Sequence, residues 1–236
     1  MSEPTLSLKD VHTYIGQHHI LQGVSLDVNA GRATVLVGRN GAGKSTTLRT
    51  IMGLYPVRSG SITLDGEAIQ NRKPFHIARL GIGFVPEDHA VLTTLTVEEN
   101  LRLAMFKESE DGWRRMESIF RLFPDLKRFL HSKAGVLSGG QKQMLAISLA
   151  LVLDHRIVLI DEPSKGLAPV VVEHLGKSLN QIKDTTTVVL VEQNFYLASQ
   201  VGQDYFILDD GRVAHHGLME DLVNDHALKR KYLGIG

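Results

Sequence analysis

The sequence predicts an α/β protein in which a mostly parallel sheet is joined by an antiparallel β subdomain and an inserted helical subdomain. The run at 157–160 is entirely apolar, and the run at 33–37 is apolar apart from Thr34. This composition is typical of strands that are buried on both faces of a sheet. From Thr96 to about residue 152, apolar residues recur at helical spacing instead.

We predict that the whole chain, residues 1–236, forms one domain. The core and the antiparallel β subdomain are assigned to 1–95 and 153–236, and the helical subdomain to 96–152. The sequence shows no internal repeat and no low-complexity tract, so one copy of this unit is expected.

Strand and turn patterns dominate the chain before Thr96. Alternating apolar residues predict antiparallel strands within 6–11 and 20–28, ahead of a turn at 29–31. The run after the strand at 33–37 is compatible with a helix over 46–52, which Gly53 is expected to end. The other elements predicted in this part are a strand at 61–66 that ends in a turn, a helix at 74–80 and a strand at 82–85.

The helical subdomain begins with a capping signal. Thr96 is a favourable N-cap, and Glu99 completes the pattern of a capping box. Asp111 is expected to start a second helix, which Pro124 breaks, with Trp113, Met116, Ile119 and Phe120 on its buried side. After the strand at 157–160, we predict a helix at 169–182, strands at 187–191, 205–208 and 212–214, and two short final helices.

Composition restricts the class of protein. Hydrophobic residues make up 43% of the chain, which is sufficient for a packed core. Lys and Arg together number 26, as do Asp and Glu, and this zero net charge argues against nucleic acid as the partner. The absence of cysteine favours a cytosolic location. We detect no signal peptide and no apolar run near the roughly twenty residues that span a bilayer.

Residues Gly38 to Ser45 form the pattern G-x-x-x-x-G-K-S, a phosphate-binding loop. Its glycines let the backbone turn so that N–H groups point at phosphate oxygens, and the following helix adds its positive end. Lys44 is predicted to reach the β- and γ-phosphates, Ser45 to bind Mg²⁺ and Thr46 to contact the α-phosphate. The predicted nucleotide-binding set of this loop is Gly38, Asn40, Gly41, Ala42, Gly43, Lys44, Ser45 and Thr46.

Asp161 and Glu162 close the apolar strand at 157–160. Two carboxylates at the carboxyl end of a buried parallel strand can take separate roles. Asp161 is predicted to hold Mg²⁺ through water, and Glu162 to polarise the attacking water as the general base. The alternative is a solvated acidic turn, which the phosphate-binding loop upstream makes the weaker interpretation.

Residues Ser138, Gly139, Gly140 and Gln141, here called the signature loop, open the helix that follows. A serine cap and two glycines before a helix form a second anion-binding N-terminus. One chain does not need two phosphate cradles for one ATP. We therefore expect the signature loop to contact the γ-phosphate of an ATP held by another subunit. Taken alone, the motif is also compatible with a plain helix cap, an interpretation that the phosphate-binding loop and the Asp161–Glu162 pair disfavour.

With these motifs, the chain resembles the nucleotide-binding subunits of ABC transporters over essentially its whole length. Four stretches resemble more specifically the shorter ATPase of branched-chain, hydrophobic amino-acid importers: Glu-Pro-Ser-Lys-Gly-Leu-Ala-Pro at 162–169, Val-Glu-Gln-Asn at 191–194, Val-Pro-Glu at 85–87 and Tyr-Leu-Gly at 232–234. Urea and short-amide importers use very similar subunits, so the transported substrate stays open.

The resemblance implies a head-to-tail dimer, with the same or a second ATPase, that encloses two ATP molecules and Mg²⁺. It also implies membrane permease subunits as partners, an external solute-binding protein as an indirect partner, and a place on the inner face of the cell membrane. The permease contact is expected near 87–95.

Three positions depart from the common ABC pattern. Glu87 stands where most of these ATPases carry the Gln that senses Mg²⁺ and the attacking water. Gln193 replaces the switch His, and an amide can donate to a γ-phosphate without carrying charge. Ala168 replaces the usual Asp of the dimer-facing loop. Glu87 is kept as a catalytic and metal-binding candidate, and Gln193 as a catalytic one.

The adenine contact has two candidates, Tyr14 and Ile15, because the usual stacking aromatic directly precedes a glycine and here Ile15 precedes Gly16. Neighbours in a strand face opposite ways, so we expect either an apolar contact from Ile15 or a local bulge. Two functions remain open: a motor that hydrolyses ATP to drive import, and a weakly hydrolysing, nucleotide-gated subunit whose partner supplies turnover. A soluble ABC ATPase of translation or DNA repair is disfavoured, since the chain has neither tandem units nor a basic tract.

Overall fold

The computed structural model describes residues 4–105, 107 and 109–235. The strands are β1 Leu6–Ile15, β2 His18–Val28, β3 Ala33–Val37, β4 Val57–Leu64, β5 Glu67–Ala68, β6 Ile82–Val85, β7 Ile157–Asp161, β8 Thr187–Val191, β9 Asp204–Asp209 and β10 Arg212–Leu218. The helices are α1 Lys44–Ile51, α2 Pro74–Arg79, α3 Val97–Ala104, α4 Glu110–Leu122, α5 Pro124–Arg128, α6 Gly139–Leu151, α7 Pro169–Lys183, α8 Phe195–Val201, α9 Met219–Asn224 and α10 His226–Leu228, with a 3₁₀ turn at Ala134–Val136 and a π-helical turn at Lys229–Leu233. No helix in these described ranges is long and apolar enough to cross a bilayer.

Six strands form the larger sheet, in the order β10-β9-β3-β8-β7-β6. All neighbours run parallel except β10, which pairs antiparallel with β9. Every residue of β3, β7 and β8 is buried, as the apolar runs predict. Because β3, β8 and β7 are parallel neighbours, the segments that follow them emerge at the same edge of the sheet, where ligands bind in open α/β folds.

Buried side chains alternate between two cores along these strands. Val35 and Val158 pack into a core with the helices on one side of the sheet. Leu36 and Leu159 pack on the other side, into a core shared with the antiparallel sheet β2-β1-β4-β5 and α1. The predicted combination of a mostly parallel sheet, an antiparallel subdomain and a set of helices is confirmed.

The hairpin of β1 and β2 contains an irregularity. Thr13 pairs with Leu21, but the next residue, Tyr14, pairs with His19. Ile20 is therefore left without a partner on β1, which places a β-bulge on β2 opposite Thr13 and Tyr14. The bulge expected as one outcome was on β1 at Tyr14 and Ile15, so the adenine contact stays a prediction. A bulge bends its strand and redirects the side chain of the extra residue.

Several element boundaries differ from the sequence prediction, and two of these differences have a clear physical reason. Strand β10 extends to Leu218, which pairs with Asp204, so the strand is longer than 212–214. Its histidines and glycine give no apolar alternation, because β10 lies at the edge of the sheet. Pro124 breaks α4 but also begins α5 at its first position, where the missing N–H of proline is harmless.

The capping box at the start of α3 is confirmed. Thr96 Oγ1 accepts a hydrogen bond from Glu99 N at 3.1 Å, and Glu99 Oε2 accepts one from Thr96 N at 2.7 Å. Replacing Thr96 with alanine leaves an N–H of the first turn without its acceptor, which we expect to lower the free energy of unfolding by about 1 kcal/mol. Chemical denaturation checks this, with Thr94→Ala, an exposed threonine outside the cap, as the control. Equal midpoints for the two variants would contradict the assignment.

His155 connects the end of α6 to the start of the core strand β7. Its Nδ1 lies 2.7 Å from the carbonyl oxygen of Ala150, and because that oxygen can only accept, Nδ1 carries the proton. The ring lies over Gly83, where a Cβ atom would be 2.6 Å from Nδ1. Burial lowers the pKa of His155, although the bond to Ala150 acts in the opposite direction.

This lowered pKa makes stability depend on pH. Below about pH 6.5 the unfolded chain binds a proton at His155 more readily than the folded chain does, so the free energy of unfolding falls as the pH drops. We expect His155→Asn, whose amide can replace the Nδ1–H donor, to lose less stability than the wild type between pH 7.5 and 5.5, by up to about 1 kcal/mol. Urea denaturation at both pH values gives the difference. Identical losses in the two proteins would show that His155 does not titrate in this way.

Candidate nucleotide site

The phosphate-binding loop follows β3 and is shaped by positive backbone angles. Gly38, Gly41 and Gly43 have φ of 148°, 82° and 100°, values that side chains disfavour. At Gly38, a Cβ atom would also lie 2.2 Å from the carbonyl oxygen of Leu208. The loop therefore lies directly against the end of β9, and only glycine fits at Gly38.

Lys44 is buried beneath this loop and closes it. Its Nζ donates hydrogen bonds to the carbonyl oxygens of Gly38 at 3.0 Å and Arg39 at 3.1 Å, and it lies 3.8 Å from Glu162 Oε1. Burial lowers the pKa of Lys44, while the negative charges of Glu162 and Asp161 raise it. The ammonium group thus lies where a polyphosphate can replace the two carbonyl contacts.

Ser45 and Asp161, predicted to share a metal ion, are in contact. Ser45 Oγ donates to Asp161 Oδ1 at 2.7 Å. Asp161 is fully buried, and this burial raises the pKa of its carboxyl group against the effect of the Ser45 bond. Among the described residues, no group donates a hydrogen bond to the buried Oδ2. A buried carboxylate oxygen without a partner beside a hydroxyl suits a hard cation or its water, so these residues fit Mg²⁺.

Glu162 and Gln193 are also brought together. Gln193 Nε2 donates to Glu162 Oε1 at 2.6 Å. Glu162 adopts a left-handed backbone angle, with φ of 46°, which is uncommon for a non-glycine residue and characteristic of functional sites. The bond holds the carboxylate at the edge where the segments after β3, β7 and β8 meet.

A cavity of about 360 Å³ joins Lys44, Ser45, Glu162 and Gln193, whereas Asp161 and Gly38 are not part of its described lining. Among the described residues, those lining it are Ile20, Asn40, Gly41, Gly43, Lys44, Ser45, Thr46, Glu87, Glu162, Lys165 and Gln193. Nine of these residues, Glu87 among them, are site residues that the sequence predicts. Ile20 and Lys165 are not predicted. Ile20 is the extra residue of the bulge in β2, and its side chain type gives no sign of that bulge.

The Glu87 side chain lines the cavity and forms an ion pair with the ammonium group of Lys165. Its Oε1 lies 2.5 Å from Lys165 Nζ. This hydrogen bond raises the pKa of Lys165. Glu87 is therefore paired with Lys165 and not with Ser45 or Asp161, and its metal and catalytic roles stay predictions.

The signature loop lies outside the described lining of the cavity. Ser138 Oγ accepts from Gln141 N at 3.3 Å, and Gln141 Oε1 accepts from Ser138 N at 3.0 Å, so Ser138 is the predicted N-cap of α6. Ser138 and Gly139 are exposed. Gly140 packs against α7, where a Cβ atom would lie 2.7 Å from Val171 Cγ1. An exposed helix N-terminus is thus available to a second molecule.

Tyr14 and Ile15, the two candidates for adenine contact, lie at the end of β1 and are both exposed. Neither belongs to the described lining of the cavity, which Ile20 on the neighbouring strand reaches instead. The Tyr14 ring stacks on His19 with centroids 4.2 Å apart and planes 5° apart. One face of Tyr14 is covered, so any base would have to use the other.

A glycine loop closed by a buried lysine, with a serine–aspartate pair and a glutamate on neighbouring strands, defines a P-loop nucleoside triphosphatase. The chain belongs to the ABC transporter family, whose family model matches residues 21–165. It is an ATP-binding subunit of that family and an ATPase.

Two curated relatives match nearly the whole chain. The high-affinity branched-chain amino acid transport ATP-binding protein BraG of Pseudomonas aeruginosa is 38% identical over 231 residues, covering 97% of this chain and 99% of the relative. The probable branched-chain amino acid transport ATP-binding protein LivF of Archaeoglobus fulgidus is 37% identical, covering 92% and 93%. Among solved structures, the dimeric post-hydrolysis state of the ATP-binding cassette MJ0796 with ADP and Pi matches with a TM-score of 0.80 and 28% identity, covering 91% and 98%.

Proposed function

We propose that the chain is the ATPase subunit of an importer of branched-chain or other hydrophobic amino acids. The observation that carries this proposal is the pair of relatives with that transport function, which match almost end to end at 38% and 37% identity. The partners would be membrane permease subunits and, indirectly, an external solute-binding protein. The chain would then act in the cytoplasm, peripherally on the inner face of the cell membrane.

The catalytic unit we propose is a head-to-tail dimer. Ser138 and Gly139 are exposed and lie apart from the cavity of their own chain, so they are free to complete the cavity of another. Their helix N-terminus supplies N–H groups and a partial positive charge for a γ-phosphate. The dimeric arrangement of MJ0796 with ADP and Pi supports this reading.

Within each site, the loop residues from Gly38 to Thr46 would bind the phosphates of ATP. Lys44 would exchange the carbonyl oxygens of Gly38 and Arg39 for phosphate oxygens, which is favourable because they carry full charge. Ser45 and Asp161 would hold Mg²⁺, which when bound neutralises phosphate charge and orients the γ-phosphate.

Glu162 would accept the proton of the attacking water on its carboxylate, as general base. Gln193 Nε2, which donates to Glu162 Oε1, would keep that carboxylate oriented and leave the second oxygen free for the water. The exposed leucine and threonines of 92–94 lie in the segment 87–95, which we propose as the permease contact. Residues 96–152 would move with this segment as the helical subdomain.

Two residues favour a second candidate function, a nucleotide-gated subunit that hydrolyses ATP weakly beside a more active partner. Gln193 is a neutral amide already engaged by Glu162, so it cannot supply the positive charge of a protonated switch histidine. Ala168 likewise has no side chain with which to reach across a dimer. Glu162 and the signature loop match the common ABC pattern, and these residues favour the first function, a motor that hydrolyses ATP to drive import.

Uptake measurements in the native host test the transport proposal. We expect deletion of the gene to abolish high-affinity uptake of radiolabelled leucine and isoleucine, the wild-type gene to restore it, and the Lys44→Met gene not to. Urea and acetamide uptake serve as parallel assays. Loss of amide uptake with normal leucine uptake would replace the amino-acid assignment by a short-amide one.

A further inference from the structure

A carboxylate that the mechanism above does not use lies buried next to the site. Glu192, between β8 and Gln193, is 1% exposed. Its Oε1 accepts a hydrogen bond from Ser164 N at 3.0 Å, and its Oε2 accepts bonds from Ser164 Oγ at 2.9 Å and Asn194 N at 3.0 Å. These three hydrogen bonds offset part of the free-energy cost of burying a charged carboxylate away from water.

These bonds join two segments that belong to different strands. Ser164 is the second residue after Glu162, in the loop that follows β7. Asn194 is the N-cap of α8, and its Oδ1 accepts a bond from Leu197 N at 3.3 Å. The backbone N of Glu192 continues the ladder to Leu36 of β3 at 3.2 Å. The Glu192 side chain thus links the loop after β7 to the start of α8 by hydrogen bonds.

The candidate catalytic pair, Glu162 and Gln193, belongs to the two segments that Glu192 links. Glu162 stands two residues before Ser164, and Gln193 stands directly between Glu192 and Asn194. Their mutual hydrogen bond is 2.6 Å long, a contact that a small shift of either segment would break. We propose that Glu192 is a positioning residue, which through Ser164 fixes Glu162 against Gln193; this rests on the roles proposed above for that pair.

The hydrogen-bonding capacity of the Glu192 carboxylate explains why replacing it with glutamine should disturb the site. A glutamine has the same shape but presents one acceptor oxygen and one NH₂ group, so at least one of the three donors would face another donor. An unsatisfied buried donor is strongly unfavourable, and the loop after β7 would shift to relieve it. Burial raises the pKa of Glu192, and the three hydrogen bonds lower it.

The test uses purified full-length chain and compares Glu192→Gln, Ser164→Ala and Ser164→Thr. We expect Glu192→Gln to lower kcat for Mg-ATP by at least about tenfold, and the dissociation constant for ATP, measured without Mg²⁺, to change by less than about threefold. Ser164→Ala removes one of three bonds and should lower kcat by a smaller factor, which Ser164→Thr should restore because it keeps the hydroxyl.

Asn100→Ala is the matched control, since Asn100 of the helical subdomain is 3% exposed and makes three hydrogen bonds, to Leu92 and Thr96. It should lower the melting temperature and leave kcat within about twofold. If Glu192→Gln does the same, the residue is only structural and the proposal fails. Should Glu192→Gln not fold, the pair at Ser164 decides alone: equal kcat for Ser164→Ala and wild type overturns the proposal.

A double-variant cycle with Gln193→Ala separates this proposal from the proposed function. If Glu192 acts by placing Glu162 against Gln193, its substitution should cause little further loss of kcat in the Gln193→Ala background. Independent, multiplying losses would overturn the positioning role while leaving the ATPase itself intact. Failure of the role proposed for Glu162, on which this inference rests, would appear differently, as full turnover in Glu162→Gln.

Discussion

Lys44→Met is expected to reduce the affinity for ATP by roughly 100-fold, equivalent to about 3 kcal/mol, because a buried charged contact to phosphate is lost. Methionine has a similar length and fits the apolar part of the site, but it carries no charge and donates no hydrogen bond. The loop carbonyls of Gly38 and Arg39 lose their donor as well, so the loop itself should loosen.

Isothermal titration with ATP measures this loss. Lys177→Met is the control, because Lys177 is exposed on α7 and, within the described part of the chain, forms its ion pair with Glu173 of the same helix, at 2.7 Å. An unchanged affinity in Lys44→Met would mean that the nucleotide does not bind at the loop after β3.

Glu162→Gln is expected to lower ATP turnover by about 10³-fold, the range observed for loss of a general base. Binding of ATP should remain, because Lys44, Ser45 and the glycines of the loop are untouched. The substitution preserves the size of the side chain and its unusual backbone angle, with φ of 46°. It removes the ability of the carboxylate to take a proton from water.

Phosphate release at saturating Mg-ATP gives the turnover, and equilibrium binding gives the affinity in the same preparation. Glu173→Gln, a half-buried glutamate on α7 that pairs with Lys177 of the same helix, is the matched control and should behave as the wild type. Retention of more than about a tenth of wild-type turnover in Glu162→Gln would assign the base to another residue.

The parts of the site that the sequence predicts are those encoded by short local patterns. The loop at 38–45 requires glycine at fixed spacings, and β7 requires an apolar run ending in carboxylates. Parallel strands then bring their carboxyl ends to one edge, so contacts such as Ser45 with Asp161 follow from topology. The N-cap of α6 at Ser138 is also a local pattern, fixed by Ser138 and Gln141.

The parts that the sequence does not predict depend on register and on tertiary contacts. Ile20 reaches the cavity because of a one-residue bulge, and no property of its own side chain signals that bulge. The pairing of Glu87 with Lys165 joins residues 78 positions apart, and Glu192 is buried although an isolated glutamate is expected at the surface. In each case the determining feature is a neighbour brought in by the fold.

In the dimer proposed above, each ATP is hydrolysed between the phosphate-binding loop of one chain and the signature loop of another. The most direct measurement mixes two variants, Lys44→Met and Ser138→Arg, each expected to be inactive alone. With random pairing, half of the dimers contain both variants, and each of these has one intact composite site, so activity should recover to about a quarter of the wild-type rate. A mixture no more active than its separate components, under conditions where the wild type hydrolyses ATP, would contradict the shared site.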